Sequence, residues 1–449
     1  MSKLRRKLKW VGVNLCRLIL SCTFILSGFV KAVDPRGTQY KFEDYAEAFR
    51  LTEWIPDYFY LPAAIVLAML EFCLGVYLFF GIRRKMTTWF LLVLMSVMTP
   101  FTLYLALANP VSDCGCFGDA FKLTNWETFY KNVVLLLAAV CVFRYPRLLN
   151  RFISERNQWM ISMYSIFFIG FFSSWCVYRL PVLDFRPYHI GADLIEGMTI
   201  PEDAEQPEFK TTFILEKNGV RKEFGEQDYP DSTWTFVDSR TVMTKAGYEP
   251  PIHDFSITTY TGGEDLTEMI LQDTSYTFLL VAPFLEKADD GSMDQINEIY
   301  DYCQEWGYGF YCLTSSGPES VARWQDLTGA EYPFCVTDAT TLKTIVRSNP
   351  GLVLLKHGVV INKWSVNDLP EEKEFVGRKL EKTSIGVLAP DSWWVRMAKV
   401  IFLYVIPLFL LTVLDRVWIA FKMYQRVKHK KQVFNLIKQQ ENEKENCSR

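Results

Sequence analysis

Six apolar runs separated by polar connections dominate the pattern of this chain. They lie near Trp10–Ala32, Tyr58–Gly81, Thr88–Ala108, Phe129–Phe143, Trp159–Tyr178 and Val400–Ala420. Each approaches or exceeds the roughly 17–25 residues that a helix needs to cross a bilayer. The fourth is the shortest, and a start near Asn125 lengthens it; Thr124 and Glu127 have the spacing of a capping box there. The first run is too long for the core of a secretory signal, usually about 7–15 residues. The pattern predicts a helical membrane bundle interrupted by one water-soluble insert.

The insert runs from Leu183 to about Glu374. In "TTFILEKNGVRKEF" the Asn218-Gly219 pair between alternating runs predicts a two-residue hairpin, and "STWTFVDSRTVMTKAGY" is a candidate second strand pair. After "PPIHDFSITTYTGGEDL", strands alternate with helices: "YTFLLVAP", "MDQINEIYDYCQEWG", "YGFYCLTSS", "PESVARWQDLTG", "YPFCVTD" and "TTLKTIVRS". The hairpin "GLVLLKHGVVINKW" ends the series. Such alternation predicts a mainly parallel α/β sheet with a terminal antiparallel hairpin. The expected segments are a four-helix membrane domain (1–145), a fifth span with flanks (146–182), a strand-rich segment (183–251), an α/β domain (252–375), a linker and sixth span (376–421), and a tail (422–449).

Charge orients the spans. Lys3, Arg5, Arg6, Lys7 and Lys9 precede the first; Arg83, Arg84 and Lys85 join the second to the third. Arg144, Arg147, Arg151 and Arg156 join the fourth to the fifth, and Lys422, Arg426, Lys428, Lys430 and Lys431 follow the sixth. Every second connection is basic and is expected in the cytoplasm, with both termini. The insert and the connection "SDCGCFGDA" then face outward. A net charge of −3 offers no basic footprint for nucleic acid. The eleven cysteines form no CxxC pairs of zinc-ligand spacing, and His189, His253, His357 and His429 are scattered, so no metal cluster is expected.

The candidate chemistry lies in the outward connection. Cys114 and Cys116 flank Gly115, which suits the tight backbone of a small ring. On an oxidising face they are either a reducible redox pair, a structural loop closure, or incidental thiols holding half a metal site. Within the bilayer, Glu71 is expensive and a candidate for proton carriage or quinone contact. The plainer alternative is a register-setting ion pair with Arg17, about four turns from the outer end of the first helix. Lys31 is expected to snorkel at the interface. Cys303, Cys312 and Cys335 fall within predicted core elements and are expected to be inert packing residues.

Two resemblances extend this. "RLILSCTFILSGFVKAVDP", the acidic residue in "AMLEFCLG" and "DCGCFGD" resemble the MauE/DoxX family of redox-associated membrane proteins over roughly residues 10–145. The resemblance implies thiol–disulfide traffic at the membrane, as in maturation of the disulfide-rich methylamine dehydrogenase small subunit. Four-helix quinone-linked disulfide oxidases are an analogy, and they carry a second outer cysteine pair. Here the first outer loop, Val33–Asp57, has no cysteine. The α/β segment resembles the peroxiredoxin- or TlpA-like branch of the thioredoxin fold, which implies a cis bond at Asn349-Pro350. Active members carry a cysteine after the first core strand, where this chain reads "VAPFLEKADDGSM", Val281–Met293.

The resulting expectation is a bacterial inner-membrane protein, a helical bundle with a periplasmic thioredoxin-like α/β domain. It passes electrons or disulfides to a periplasmic thiol protein through Cys114 and Cys116, with a quinone as the candidate cofactor. The alternative is a non-catalytic membrane-anchored assembly or binding protein.

Overall fold

The computed structural model describes residues 3–111, 115–121, 123–201, 204, 208–217, 220–225, 234–245, 247–248, 250–260, 262–388 and 393–447. The chain forms two compact units, residues 1–186 with 389–449, and residues 187–388. Among the described residues, six helices are long and apolar enough to cross a membrane.

The first unit is built on α1 (Lys3–Val33), α2 (Pro35–Ala48), α3 (Tyr60–Phe80), α4 (Arg84–Ala108), α5 (Asn125–Arg144) and α6 (Gln158–Tyr178). A C-terminal helix, Trp393–Cys447, completes it. Helices α1 and α3 pack backbone to backbone. A Cβ on Gly28 would collide with the main chain of Phe72 and Ala68, and one on Gly75 would come within 2.7 Å of the Ile25 nitrogen. Small residues supply this approach because lipid offers no hydrophobic force between helices. The seam sets the register: Arg17 lies level with Leu78 and Phe79, and Lys31 with Glu71.

Helix α2 occupies what reads in the sequence as a plain outer loop. Asp34 caps it by accepting from Gly37 N at 2.9 Å, and Pro35 opens its first turn. In α4, Pro100 removes one main-chain donor, and the flanking Thr99 and Thr102 hydroxyls donate back to the carbonyls of Met95 and Met98. The C-terminal helix is tied to the start of α6. Asp415 accepts from Ser154 N (2.9 Å), Ser154 Oγ (2.5 Å) and Asn157 Nδ2 (2.7 Å), while the Tyr404 ring packs on Phe168 and Phe72.

The second unit holds α7 (Leu194–Met198) and two sheets. One is three-stranded and antiparallel, with β1 (Glu208–Lys217) between β2 (Val220–Gly225) and β3 (Thr235–Lys245). Lys217 pairs with Val220 across the expected hairpin, whose Asn218 and Gly219 lie outside the described residues. The stretch "STWTFVDSRTVMTKAGY" is not a strand pair: β3 is one strand from Thr235 to Lys245, pairing with β1 through two register shifts. The ten-residue central strand β1 offers a long edge along which β3 extends past residues that read locally as a turn.

The other sheet is built on β4 (Thr258–Thr259), α8 (Thr267–Gln272), β5 (Tyr276–Val281), α9 (Met293–Trp306) and β6 (Gly309–Thr314). It continues through α10 (Pro318–Thr328), β7 (Phe334–Val336), α11 (Ala339–Ile345), β8 (Gly351–Lys356), β9 (Val359–Ser365) and α12 (Glu372–Phe375). Its strand order is β4-β7-β6-β5-β8-β9, parallel through β7-β6-β5 and antiparallel at β4, β8 and β9, compatible with a thioredoxin-like domain. Every residue of β5 is buried, as a strand covered on both faces requires. Phe278 and Leu280 join Ile296, Ile299 and Cys303 of α9 in one core, the helical set recurring at three- and four-residue intervals. His357 and Gly358, both at positive φ, turn β8 into β9.

Candidate functional site

Ser27 and Lys31 are four residues apart and share one face of α1. Opposite them on α3 is Glu71. Lys31 Nζ lies 2.8 Å from Glu71 Oε2, 2.7 Å from Ser27 Oγ and 2.6 Å from the main-chain oxygen of Cys116. An ammonium has three N–H donors, and here each finds an acceptor. Ser27 Oγ also lies 2.8 Å from both Glu71 Oε2 and Cys116 O, and its single proton serves one of them at a time. Lys31 and Glu71 are only 5 % and 8 % exposed, so removing one strands the other charge.

This geometry overturns the expected partner of Glu71. Arg17 does not reach it; its Nε donates to Leu78 O at 3.0 Å, its Nη2 to Phe79 O, and its Nη1 to Asn14 at 3.2 Å. The guanidinium rests 4.8 Å above the Phe152 ring. Arg17 is sixteen residues before the end of α1, whereas Glu71 is eleven past the start of α3. At 1.5 Å per residue the mismatch is about 8 Å. Lys31 does not snorkel; its stem turns back along α1, and the amine meets the carboxylate. The clue legible in the sequence was "SGFVK", which places hydroxyl, glycine and amine along one helical stripe.

The CxC connection sits on this cluster through Cys116. Gly115 and Gly118 have φ of +61° and +51°, a region where side chains strain. Lys131 Nζ covers the Phe117 ring at 4.3 Å. At the base of the connection Asn125 Nδ2 donates to Asn109 Oδ1 (2.8 Å) and Val111 O (2.9 Å). Thr124 and Glu127 exchange both bonds of a capping box, starting α5 at Asn125. A cavity of about 40 Å³, lined by Ser27, Glu71, Cys116, Phe117, Lys131 and Asn132, opens beside the pair. Its size suits water rather than a quinone ring. Cys114 lies outside the described residues.

In the second unit, the position after β5 that carries thiols in active thioredoxins is a hydrogen-bonded turn. Ser316 Oγ donates to Glu286 Oε2 at 3.0 Å while accepting from Leu285 N at 2.9 Å. Hydrogen bonds from Ser320, and then Ser316, hold the Glu286 carboxyl below the usual range. Asn349 Nδ2 donates to Phe284 O at 2.8 Å, and the Asn349–Pro350 bond is cis. Cys303, Cys312 and Cys335 are fully buried; burial raises all three thiols, Cys335 to about 11. Among the described residues no group of His, Cys, Asp and Glu is arranged to hold a metal ion.

Comparison with known proteins bears on the first unit. Residues 8–144 match the family model "Methylamine utilisation protein MauE", and residues 209–246 match "Domain of unknown function (DUF8463)". No curated protein matches the chain. A structure titled "Solution structure of a putative protein disulfide isomerase from Bacteroides thetaiotaomicron" is 16 % identical over 26 % of this chain and 77 % of its own, with a TM-score of 0.22. The matched stretch, less than half of the chain, contains the first four membrane-length helices and the buried Lys31–Glu71 pair beneath Cys116; this part is similar to the MauE family, in a chain whose six long apolar helices indicate a multi-pass membrane protein.

Proposed function

We propose that this protein exchanges thiols and disulfides with an extracytoplasmic partner through Cys114 and Cys116, in a bacterial inner membrane with both termini cytoplasmic. A partner thiolate attacks one sulfur of the Cys114–Cys116 disulfide, forming a mixed disulfide and expelling the other sulfur as thiolate. The partner's second thiol then attacks the mixed bond and releases the first cysteine. The partner leaves as a disulfide, and two electrons and two protons remain on the cysteine pair. Recycling requires a second two-electron partner, a quinone or another disulfide protein. The thioredoxin-like unit serves as the docking module, since the turn after β5 has no thiol and its core cysteines are sealed.

The observation that carries this reading is the seating of the CxC connection. A buried ammonium and a hydroxyl hold the Cys116 carbonyl, between Gly115 and Gly118 at positive φ. The second reading, a binding protein in which the pair only closes the loop, draws on the thiol-free turn at Val281–Met293.

Trapping separates them. In membranes carrying Cys116→Ala, Cys114 is expected to accumulate a mixed disulfide with a partner, visible as a reducible adduct on non-reducing gels. No adduct, together with an unchanged phenotype for the double Cys→Ala variant, would establish the binding role instead.

A further inference from the structure

An apolar groove of about 510 Å³ runs along α3 and α4, lined by Leu70, Leu74, Phe90, Val93 and Val97, with Arg83 at one end. Arg83 and Met86 also line a second hollow of about 660 Å³, whose other walls include Arg84, Lys85, Arg147 and Arg151. The two are neighbours, separated by walls to which Arg83 and Met86 both contribute. Both volumes fall within the roughly 300–1,000 Å³ of ligand sites. From Met86 to Val97 the groove follows α4 for about 16 Å, and it lies on helices of membrane-spanning length.

The basic hollow is built rather than incidental. Arg84 Nη1 donates to Leu149 O at 2.6 Å and Arg147 O at 3.3 Å, joining the α3–α4 turn to the chain after α5. Arg83 N donates to Gln158 Oε1 at 3.2 Å, and Phe152 N to Phe80 O at 3.1 Å. Arg416 Nη2 holds Arg151 O at 2.6 Å from the C-terminal helix. Glu155 pairs with Arg151, so that guanidinium is partly neutralised; among the described residues no acidic side chain lines either hollow. In the groove the Thr87 hydroxyl already donates to Ile82 O at 2.8 Å.

We propose that this composite site binds one anionic phospholipid, its phosphate among Arg83, Lys85 and Arg147 and an acyl chain in the α3–α4 groove. The site demands an amphiphile with negative charge at one end and hydrocarbon along about 16 Å of helix. A quinone lacks the charge that five basic side chains would meet, and free phosphate leaves the groove unfilled. Basic pockets between membrane helices are known to select acidic head groups.

The test uses the full-length protein in detergent and native mass spectrometry. Phosphatidylglycerol is expected to stay bound about tenfold better than phosphatidylcholine of the same chains, and Arg83→Ser with Arg147→Ser to remove that preference. Arg83→Lys with Arg147→Lys keeps the charge and is expected to retain it. Val93→Trp, which fills the groove, is expected to weaken both lipids, while Arg6→Ser, outside the site, changes neither. Equal retention of the two lipids overturns the proposal, as does displacement of phosphatidylglycerol by inorganic phosphate alone. So does ubiquinone binding that survives the paired serine variant and competes with the lipid.

Discussion

Lys31 shows how one side chain links a membrane core to a surface loop. Its amine joins Glu71 of α3, Ser27 of its own helix and the carbonyl of Cys116. Because both charges are buried, loss of either leaves the other without a counter-ion. Lys31→Met or Glu71→Gln is expected to lower stability in detergent by about 3–5 kcal/mol. Lys31→Met with Glu71→Leu should recover most of that, since an apolar pair of similar volume removes both desolvation costs. Lys31→Met also removes one of the two donors to the Cys116 carbonyl, so faster maleimide labelling of Cys116 after reduction is expected for that variant. A pair that mattered only for register would change stability without changing the labelling rate. That an acidic residue inside α3 needs a partner was readable from the sequence. Which base it takes was not, because Arg17 and Lys31 are both long, basic and on the same helix.

At the scale of elements, the alternation of β5, α9, β6, α10, β7 and α11 follows directly from local apolar periodicity, as does the β8–β9 hairpin. The merging of a suspected strand pair into β3 does not, since it depends on the length of β1 beside it. The same core explains a pH response. Cys335 on β7 has a thiol raised to about 11 from an ordinary value of 9.0, and Cys312 on β6 and Cys303 on α9 are raised too. A raised folded-state pKa means the folded chain holds its proton longer than the unfolded chain. That contribution is fully present below about pH 9 and is lost as pH rises toward 11. Unfolding midpoints of the second unit within the full-length protein are therefore expected to fall over that interval, and the three thiols to resist maleimide near neutral pH until denaturant is added. Rapid native labelling of any of them would show an open core.

For the whole molecule, the basic clusters at alternate connections predict one orientation. With the native cysteines replaced, Lys85→Cys is expected to react with an impermeant maleimide only after cells are opened, and Ser292→Cys in intact cells. The reverse pattern would put the CxC connection in the cytoplasm and remove the oxidising environment on which the proposed exchange depends. Six membrane-length helices, the strand–helix alternation of the second unit and the α5 capping box follow from sequence, because hydrophobic period, chain length and cap spacing are one-dimensional properties. Only the tertiary structure decided that Glu71 meets Lys31, that Lys31 and Ser27 hold Cys116, and that a basic hollow borders an apolar groove. Those depend on how far α1 slides along α3 before its glycines seat, and no residue carries that offset alone: it arises from the close packing of two backbones.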